Sequence, residues 1–384
     1  MKAYPINEFI IKAASRCNLN CDYCYEYNLG DDTWKSQPKL MNEETARVLG
    51  ARIAEHASQH GLSNVFISFH GGEVLLLGPK RLEQICHILR EQVGDATHLL
   101  FSMQTNATLL TERFVDVIQR QQIDVSVSID GNGEAHDRHR VDHRGRGSYD
   151  RVLRGIHLLR DKAPDRLTGL LSVIDVLNDP IETLDAVASH GIQRIDFLLP
   201  HYHWDSSPPR PDGDPIAYGR WYWEIYGAWT ADRHPGVEIR FLANIVSQLA
   251  GGPSLYEQMT LSPVTLVVIS TDGSIEAVDS IKGTGSGAQQ LGLNIHSVGF
   301  DAALHTDLVS IRQAGDAQLC QECRQCRYKR ECAGGYFPHR WGRDRRFDNP
   351  SVYCADLYWL VSKIRDDLIS RRKRRETPLN RAAK

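Results

Sequence analysis

The chain has 384 residues, of which 41% are hydrophobic and 24% charged, and its formal net charge at pH 7 is −3. This balance is ordinary for a globular protein, and it provides no electrostatic basis for binding nucleic acid or a membrane. The N-terminus lacks the apolar core of a signal peptide and the sequence has no run of about 18 apolar residues, so it predicts a cytoplasmic protein of two or three packed units.

The first 200 residues alternate short apolar runs with amphipathic runs. The apolar runs predict strands at residues 9–14, 64–70, 98–105, 124–130, 167–175 and 194–200. Helical periodicity predicts helices between them at residues 42–60, 79–93, 111–121, 148–161 and 181–190. Six strand–helix alternations indicate an α/β fold with a parallel sheet, a partial (β/α)6 TIM barrel. In such barrels the chemistry lies at the carboxyl ends of the strands.

The composition changes after residue 200. The next segments predict a Pro- and Asp-rich loop at residues 201–215, an aromatic helix at 221–229 and a hairpin at 264–278 that turns at Asp272-Gly273. A flexible segment at 280–290 and a last helix at 356–370 follow. The predicted organisation is a barrel, a bridging region, a cysteine-rich domain and a disordered basic tail, over residues 1–200, 201–290, 291–372 and 373–384.

Nine cysteines form two clusters and leave Cys86 alone in an apolar helical pattern, where it is expected to pack in the core. Clusters of this density indicate metal binding instead of disulfides. The first cluster, Cys17, Cys21 and Cys24, directly follows the first predicted strand. Three thiols with no nearby fourth allow two interpretations: zinc with a distant fourth ligand, or a 4Fe–4S cluster with one iron left open.

The segment CNLNCDYC closely resembles the cluster motif of the radical S-adenosylmethionine (SAM) enzymes. The resemblance implies the radical SAM fold, with SAM chelating the open iron of the cluster and yielding a 5′-deoxyadenosyl radical. It also implies that Gly71, Gly72 and Glu73 approach SAM, with Glu73 accepting from its ammonium group. The family usually has Pro where this chain has Val74.

Further SAM contacts are implied at the ends of later strands. Gln104 and Asn106 are expected at the ribose, Ser128 and Asp130 at the end of the fourth strand, and Arg140 at the SAM carboxylate. Tyr23 is expected against the adenine. In the same region His136 and His139 are expected to be solvated loop residues instead of ligands.

The second cluster looks like the SPASM domain of peptide-modifying radical SAM enzymes, which binds auxiliary 4Fe–4S clusters. Its predicted ligands are Cys323, Cys326, Cys332 and Cys354. The full SPASM pattern has a further cysteine where this chain has Tyr336, and the predicted hairpin here contains none, so one auxiliary cluster is expected. Cys320 is left as an alternative ligand, a redox-active thiol or a packing residue. Structural zinc remains the alternative for this set.

The segments CAGGYFPHRW, FDNPSVYC and IEAVDSIKG resemble SPASM maturases that form cyclophane crosslinks in ribosomally synthesised peptides (RiPPs). The resemblance implies an oxidoreductase that joins an aromatic ring carbon to a Cβ of a precursor peptide, with electrons from a flavodoxin- or ferredoxin-like reductant. Asp279 is the implied base; otherwise it is a turn residue or pairs with Lys282 or an arginine. His201, His203 and Trp204 are expected to line the substrate channel.

Two other functions remain open. One is a sulfatase-maturing enzyme that oxidises Cys or Ser to formylglycine, a type that usually carries two auxiliary clusters. The other is a non-catalytic binding module, which the intact first cysteine cluster and Glu73 disfavour. Because the first strand starts close to residue 1, the precursor is expected to be recognised by this fold, through residues 201–260, or by a separate protein.

Overall fold

The computed structural model describes residues 3–254 and 256–376. The strands of this part of the chain form one sheet in the order β10-β9-β8-β1-β2-β3-β4-β5-β6-β7. The strands are β1 Glu8–Ala14, β2 Asn64–Gly71, β3 His98–Thr105, β4 Asp124–Ser128, β5 Leu167–Val173, β6 Arg194–Leu198, β7 Glu238–Ile239, β8 Leu266–Ile269, β9 Ser274–Glu276 and β10 Gln290–Asn294. β1 to β7 are mutually parallel, which confirms the predicted α/β barrel sheet.

Helices connect the parallel strands and cover the sheet. They are α1 Glu43–His60, α2 Pro79–Val93, α3 Glu112–Arg120, α4 Gly133–His139, α5 Tyr149–Lys162, α6 Pro180–Ala188, α7 Ala217–Thr230, α8 Arg240–Leu249, α9 Asp301–Leu304, α10 Asp307–Ser310, α11 Gln321–Gln325, α12 Lys329–Cys332 and α13 Cys354–Glu376. The five helices predicted before residue 200 are present. The sequence did not reveal α4, because a mostly polar seven-residue segment has no apolar period to detect.

The strand sequences explain why the sheet has a packed face and an inner face. In β2, Val65, Ile67 and Phe69 are buried, while the residues between them are exposed or half-buried. This period of two directs the apolar side chains towards the helices and the alternate ones into the barrel. The inner residues near the carboxyl ends, such as His70 of β2 and Gln104 of β3, therefore reach the mouth of the barrel.

The predicted hairpin is present and turns at Gly273, whose φ of +85° favours glycine. Its first strand, β8, pairs in parallel with β1, so the hairpin extends the barrel sheet. Because strands after residue 200 belong to the same sheet as the barrel, the predicted boundary there between a barrel and a bridging region stays a prediction.

The flexible segment predicted at residues 280–290 is wrong. A buried 3-10 turn covers Asp279–Thr284, and β10 then pairs with β9. The small residues serve tight turns at Gly285 and Gly287, where φ is positive.

The C-terminal helix is longer than the sequence predicted. α13 extends through Glu376, so the disordered tail predicted from residue 373 is wrong for residues 373–376, and 377–384 lie outside the described residues. Contacts with α7 hold this helix: Tyr226 Oη donates to Asp367 Oδ2 at 2.8 Å, and Arg371 donates to Thr230 Oγ1 at 2.9 Å. Among the described helices, none has both the length and the apolar character needed to cross a bilayer.

Candidate active site

The first cysteine cluster lies at the mouth of the barrel. Cys17, Cys21 and Cys24 follow β1 and line a cavity of about 220 Å³, whose walls are the carboxyl ends of β2 to β6. Cys17 Sγ accepts from the backbone N–H of Leu19 at 3.4 Å, a contact that favours a thiolate. Burial raises the pKa of the Cys24 thiol to about 12, so this group is protonated when free and gives up its proton on binding a metal.

Most residues predicted to contact SAM line this same cavity. They are Tyr23, Gly71, Gly72, Glu73, Gln104, Asn106, Ser128 and Arg140. Glu73 is buried, and its carboxylate accepts from Thr105 Oγ1 at 2.6 Å and from the backbone N–H groups of Leu75 and Asn106 at 3.0 and 2.9 Å. Because an ionised carboxylate has about four acceptor positions, one remains for an ammonium group. The SAM contacts of these residues stay predictions.

Asp130 lies behind the cavity wall. Its Oδ2 accepts from Tyr23 Oη and from Arg140 Nε (2.8 Å), and its Oδ1 accepts from the backbone N–H of Val173 at 2.9 Å. Burial, the largest single effect, would raise the pKa of Asp130, but Arg140, His136 and the hydrogen bond from Tyr23 together lower the pKa below the ordinary value. The charged carboxylate therefore holds Tyr23 and Arg140, which both line the cavity, while Asp130 itself is not part of the lining. Its predicted contact with SAM stays a prediction.

The expectation for the two nearby histidines is wrong. His136 is fully buried: its Nδ1 accepts from the backbone N–H of Asp130 at 3.2 Å, and its Nε2 lies 2.9 Å from Ser148 Oγ. Burial lowers its pKa to about 4, so it is neutral. His139 is half-buried and lies between Asp22 Oδ2 (2.9 Å) and Asp175 Oδ2 (3.2 Å). The sequence did not reveal the burial of either histidine, because both lie on α4, which is too short to show an apolar period.

The two glycines of the cavity are required by the packing of the chain on itself. A Cβ on Gly71 would lie 2.4 Å from the carbonyl oxygen of Ala14. A Cβ on Gly72 would lie 1.8 Å from Tyr27 Oη and 2.4 Å from the carbonyl oxygen of Arg16. The end of β2 therefore packs directly on the cysteine loop, and only glycine fits between them.

We expect Gly72→Ala to distort the cysteine loop and to lower the free energy of unfolding by about 1–3 kcal/mol, the usual effect of overpacking. Denaturant unfolding monitored by circular dichroism measures this change. Gly227→Ala is the matched control, since a Cβ on Gly227 of α7 meets nothing within 4 Å. An unfolding midpoint for Gly72→Ala equal to that of the control would contradict the packing argument.

Asp279 belongs to a buried network of charges beneath the cavity. Its Oδ2 lies 2.5 Å from Lys12 Nζ and accepts from Tyr25 Oη at 2.9 Å. Lys12 also contacts Glu26, which binds Lys282 Nζ at 2.8 Å. Burial, the largest single effect, would raise the pKa of Asp279, but the Lys12 ammonium together with His70 and Lys282 holds the pKa below the ordinary value. The sequence alternative that paired Asp279 with Lys282 is therefore wrong, because its partner is Lys12.

Tyr25 connects this network to the cavity. Tyr25, Glu26 and His70 line the cavity wall, and the Tyr25 ring packs edge-on against His201 with centroids 5.0 Å apart. The sequence analysis missed Lys12, Tyr25 and Glu26. The available signal was a lysine within the otherwise apolar residues 9–14 of β1, since a charge in a buried strand requires a buried partner.

A second pocket of about 300 Å³ adjoins the cavity. Tyr23, Val173 and His201 line both spaces, so the two pockets share a wall. Apolar and aromatic groups, including Tyr202 and Tyr218, dominate the outer pocket. Of the three residues predicted for a substrate channel, His201 is placed there. His203 Nε2 instead lies 3.1 Å from the Gly283 carbonyl oxygen, and Trp204 Nε1 donates to the Pro350 carbonyl at 2.8 Å, so both hold the loop against other segments.

The second cysteine set encloses a separate pocket of about 120 Å³. Cys323, Cys326, Cys332 and Cys354 all line it. Cys320 is buried behind them and packs against Cys323 in a small apolar cluster. Tyr336, at the position of the missing SPASM cysteine, instead has its hydroxyl 2.6 Å from Ser280 Oγ.

The sulfur positions test whether the two cysteine sets suit zinc. Tetrahedral zinc with bonds of about 2.3 Å holds its sulfur ligands about 3.8 Å apart. In neither set do three sulfur atoms lie within 4.8 Å of one another; among the described residues only His56, His60 and Asp301 form such a compact group. A 4Fe–4S cluster binds each thiolate at a different iron and so accepts wider spacing. The donor sets therefore fit iron–sulfur clusters better than single zinc ions.

The chain is similar in sequence to proteins of known type. Residues 11–188 match the family model described as the Radical SAM superfamily. The cysteine-type anaerobic sulfatase-maturating enzyme of Clostridium perfringens is 24% identical over 360 residues, 91% of this chain and 94% of that protein.

Two solved structures share the fold. Native anSMEcpe with bound AdoMet and Cp18Cys peptide superposes with a TM-score of 0.79 at 20% identity, covering 95% of this chain and 100% of that one. Streptococcus suis SuiB bound to precursor peptide SuiA gives a TM-score of 0.57 at 16% identity, covering 92% and 76%. The described architecture, including the segments after the barrel, therefore recurs in both.

Proposed function

The chain is an enzyme with the radical SAM fold, and from this premise we propose that it catalyses a two-electron oxidation of an amino-acid side chain in a peptide or protein. The observation that carries the proposal is that the outer pocket adjoins the inner cavity, with Tyr23, Val173 and His201 in the walls of both. We propose that a substrate side chain enters from the outer pocket. The peptide-bound structures of anSMEcpe and SuiB support a peptide substrate.

The inner cavity fits the cofactors that this chemistry requires. When bound, SAM and a reduced 4Fe–4S cluster supply a 5′-deoxyadenosyl radical that removes a substrate hydrogen atom, and an auxiliary cluster supplies an acceptor for the second electron. In our proposal Cys17, Cys21 and Cys24 hold the first cluster, and the four cysteines of the second pocket hold the auxiliary one. The Arg140 guanidinium and the Glu73 carboxylate hold the opposite charges of the SAM amino-acid group.

Asp279 is the proposed base. Oxidation of the substrate radical releases one proton, and a carboxylate that Lys12 keeps ionised is ready to take it. Asp279 does not line the cavity itself. Tyr25 lines the cavity and donates its hydroxyl to Asp279 Oδ2, so its side chain separates the carboxylate from the cavity. We therefore propose that the substrate proton passes to the Tyr25 oxygen while the Tyr25 hydroxyl proton passes to Asp279.

The first candidate outcome is formylglycine formation on a Cys or Ser residue. The support is the similarity to the Clostridium perfringens enzyme over 91% of this chain, together with the peptide-bound anSMEcpe structure. The radical would form at the Cβ of that residue, and the oxidised product is an aldehyde.

The second candidate is a carbon–carbon crosslink of the cyclophane type between an aromatic ring and a Cβ. It is favoured by the composition of the auxiliary region. Tyr336 replaces a cluster ligand and bonds Ser280, and β8 and β9 contain no cysteine, so the described chain offers one auxiliary ligand set where formylglycine-forming enzymes usually have two. The aromatic lining of the outer pocket suits an aromatic substrate residue.

The experiment incubates the anaerobically reconstituted enzyme with SAM, dithionite and three synthetic peptides. One peptide contains a single Cys, the second replaces it with Ser, and the third has an aromatic residue two positions from a residue with Cβ hydrogens. We expect 5′-deoxyadenosine and a peptide product that has lost two electrons. Since serine oxidation and crosslinking both remove two hydrogens, intact mass does not separate them.

Two further readouts identify the product. Capture by a hydrazide identifies the aldehyde, and resistance to fragmentation between two positions in tandem mass spectrometry identifies a crosslink. Cys17→Ala enzyme is the control for background chemistry. If 5′-deoxyadenosine forms but a broad set of such peptides returns unmodified, the peptide substrate class is wrong.

A further inference from the structure

Arg340 is a buried cation with unused hydrogen-bond donors. It is 3% exposed. Its Nε and Nη2 donate to the carbonyl oxygen of Gly335 at 3.2 and 2.9 Å, and Nη2 also donates to the carbonyl oxygen of Ala333 at 2.5 Å. Its Nη1 is buried and has no partner among the described residues. Burying a guanidinium is costly unless an opposite charge lies close by.

The groups that would favour the charge of Arg340 once ionised are the thiols of Cys323, Cys332 and Cys320, and no carboxylate is among them. The Phe337 ring centroid lies 5.8 Å from Arg340 Cζ, and the charge of Arg312 opposes that of Arg340. Protonated thiols cannot neutralise a guanidinium. A 4Fe–4S cluster with four thiolates carries net negative charge and would supply the missing counter-charge.

An unusual turn holds the guanidinium against the auxiliary pocket. Ala333, Gly334 and Gly335 all have positive φ, at +51°, +77° and +73°, which turns the carbonyls of Ala333 and Gly335 towards Arg340. Gly334 lines the pocket, and a Cβ on it would lie 3.0 Å from Arg340 Cζ. The guanidinium therefore lies directly behind a wall residue that has no side chain. A non-glycine residue in this conformation is costly and persists where the surroundings require it.

We propose that Arg340 tunes the auxiliary cluster by supplying a buried positive charge that raises its reduction potential. Reduction adds one electron to the cluster, and a nearby fixed cation stabilises the more negative state. This inference rests on the proposed function, since it takes the second cysteine set to hold an iron–sulfur cluster. The inference adds that Arg340 makes the auxiliary cluster a better electron acceptor than it would be without this positive charge.

The test is a dithionite titration of the auxiliary cluster monitored by electron paramagnetic resonance. The full-length Cys17→Ala/Cys21→Ala/Cys24→Ala protein is used, so that the auxiliary cluster is the one observed. We expect R340Q to lower the equilibrium constant for one-electron reduction at least tenfold, a shift of ~59 mV, at unchanged iron and sulfide content. R340K keeps the charge and should remain within about threefold of the parent protein.

Arg343→Gln is the matched control. Arg343 lies on the surface in the same segment, so solvent screens its charge and the potential should not change. If R340Q holds its cluster with the potential of the control, the proposal is overturned. If R340Q, R340K and an Arg340→Ala variant supplied with methylguanidinium all fail to hold iron, Arg340 serves the fold of the turn and the proposal is likewise overturned.

Failure of the underlying function is separately visible. If protein that still carries Arg340 holds zinc instead of iron at the second cysteine set, it has no auxiliary cluster. The Arg340 proposal is then overturned as well. An intact cluster with a tuned potential but no peptide product would leave Arg340 supported and overturn the substrate class instead.

Discussion

Cleavage of SAM is expected to be abolished in Cys17→Ala/Cys21→Ala/Cys24→Ala, and the iron content is expected to fall from about eight to about four per chain. The three sulfur atoms line one cavity together with Glu73 and Arg140, and the fold offers no other thiol there. Without them the cofactor that cleaves SAM has no ligands. Iron and sulfide analysis after anaerobic reconstitution, with chromatography of 5′-deoxyadenosine, measures both losses.

The matched control is Cys86→Ala, which removes a thiol from the core of α2. It should keep about eight irons and full SAM cleavage, with a modest loss of stability from the small cavity. Replacement of Cys323, Cys326, Cys332 and Cys354 should remove the other four irons and leave the first set loaded. Wild-type protein with about four irons and one zinc would make the second site structural, and about twelve irons would indicate a second auxiliary cluster and strengthen the formylglycine candidate.

Asp279→Asn is expected to slow peptide oxidation by a factor of about 10²–10⁴, the usual contribution of a general base. SAM cleavage should continue, because Asp279 lies outside the cavity that the cysteines and Glu73 line. The variant should therefore release 5′-deoxyadenosine with little modified peptide. Because Lys12 holds the pKa of Asp279 below its ordinary value, peptide oxidation by the wild type should not lose this base as the pH falls from neutrality towards ~4.

The control for this prediction is Asp272→Asn at the hairpin turn, where the remaining carbonyl oxygen still accepts from the Ser274 N–H. It removes one carboxylate from the same part of the sheet and should leave peptide oxidation unchanged. Tyr25→Phe should share the Asp279→Asn phenotype if the proton passes through the hydroxyl group. Equal losses of SAM cleavage and peptide oxidation in Asp279→Asn would show that Asp279 supports the fold of the site instead of acting as a base.

Local patterns predicted the elements that bury an apolar face. β1 to β6 and the five helices predicted between them alternate with a clear period, and each lies within a few residues of its predicted position. The elements that failed have no such period. The segment 280–290 is rich in small residues, and its order comes from turns that pack Ile281 and Lys282 into the interior.

The site shows the same division. Strand ends are recognisable in sequence, and the carboxyl ends of parallel strands meet at one edge, so the predicted SAM contacts were brought together. The partners of Asp279 could not be foreseen, because Lys12 and Tyr25 lie more than 250 residues away in the chain and reach it through the pairing of β8 with β1.

The sequence by itself predicted the type of cofactor site, because three closely spaced thiols after a strand are a local pattern that suits a cluster with an open iron. Only the tertiary structure decided which charges surround that chemistry. The Lys12–Asp279 pair, the Tyr25 contact and the buried Arg340 all join residues from distant segments, and their energies depend on burial that no local pattern records.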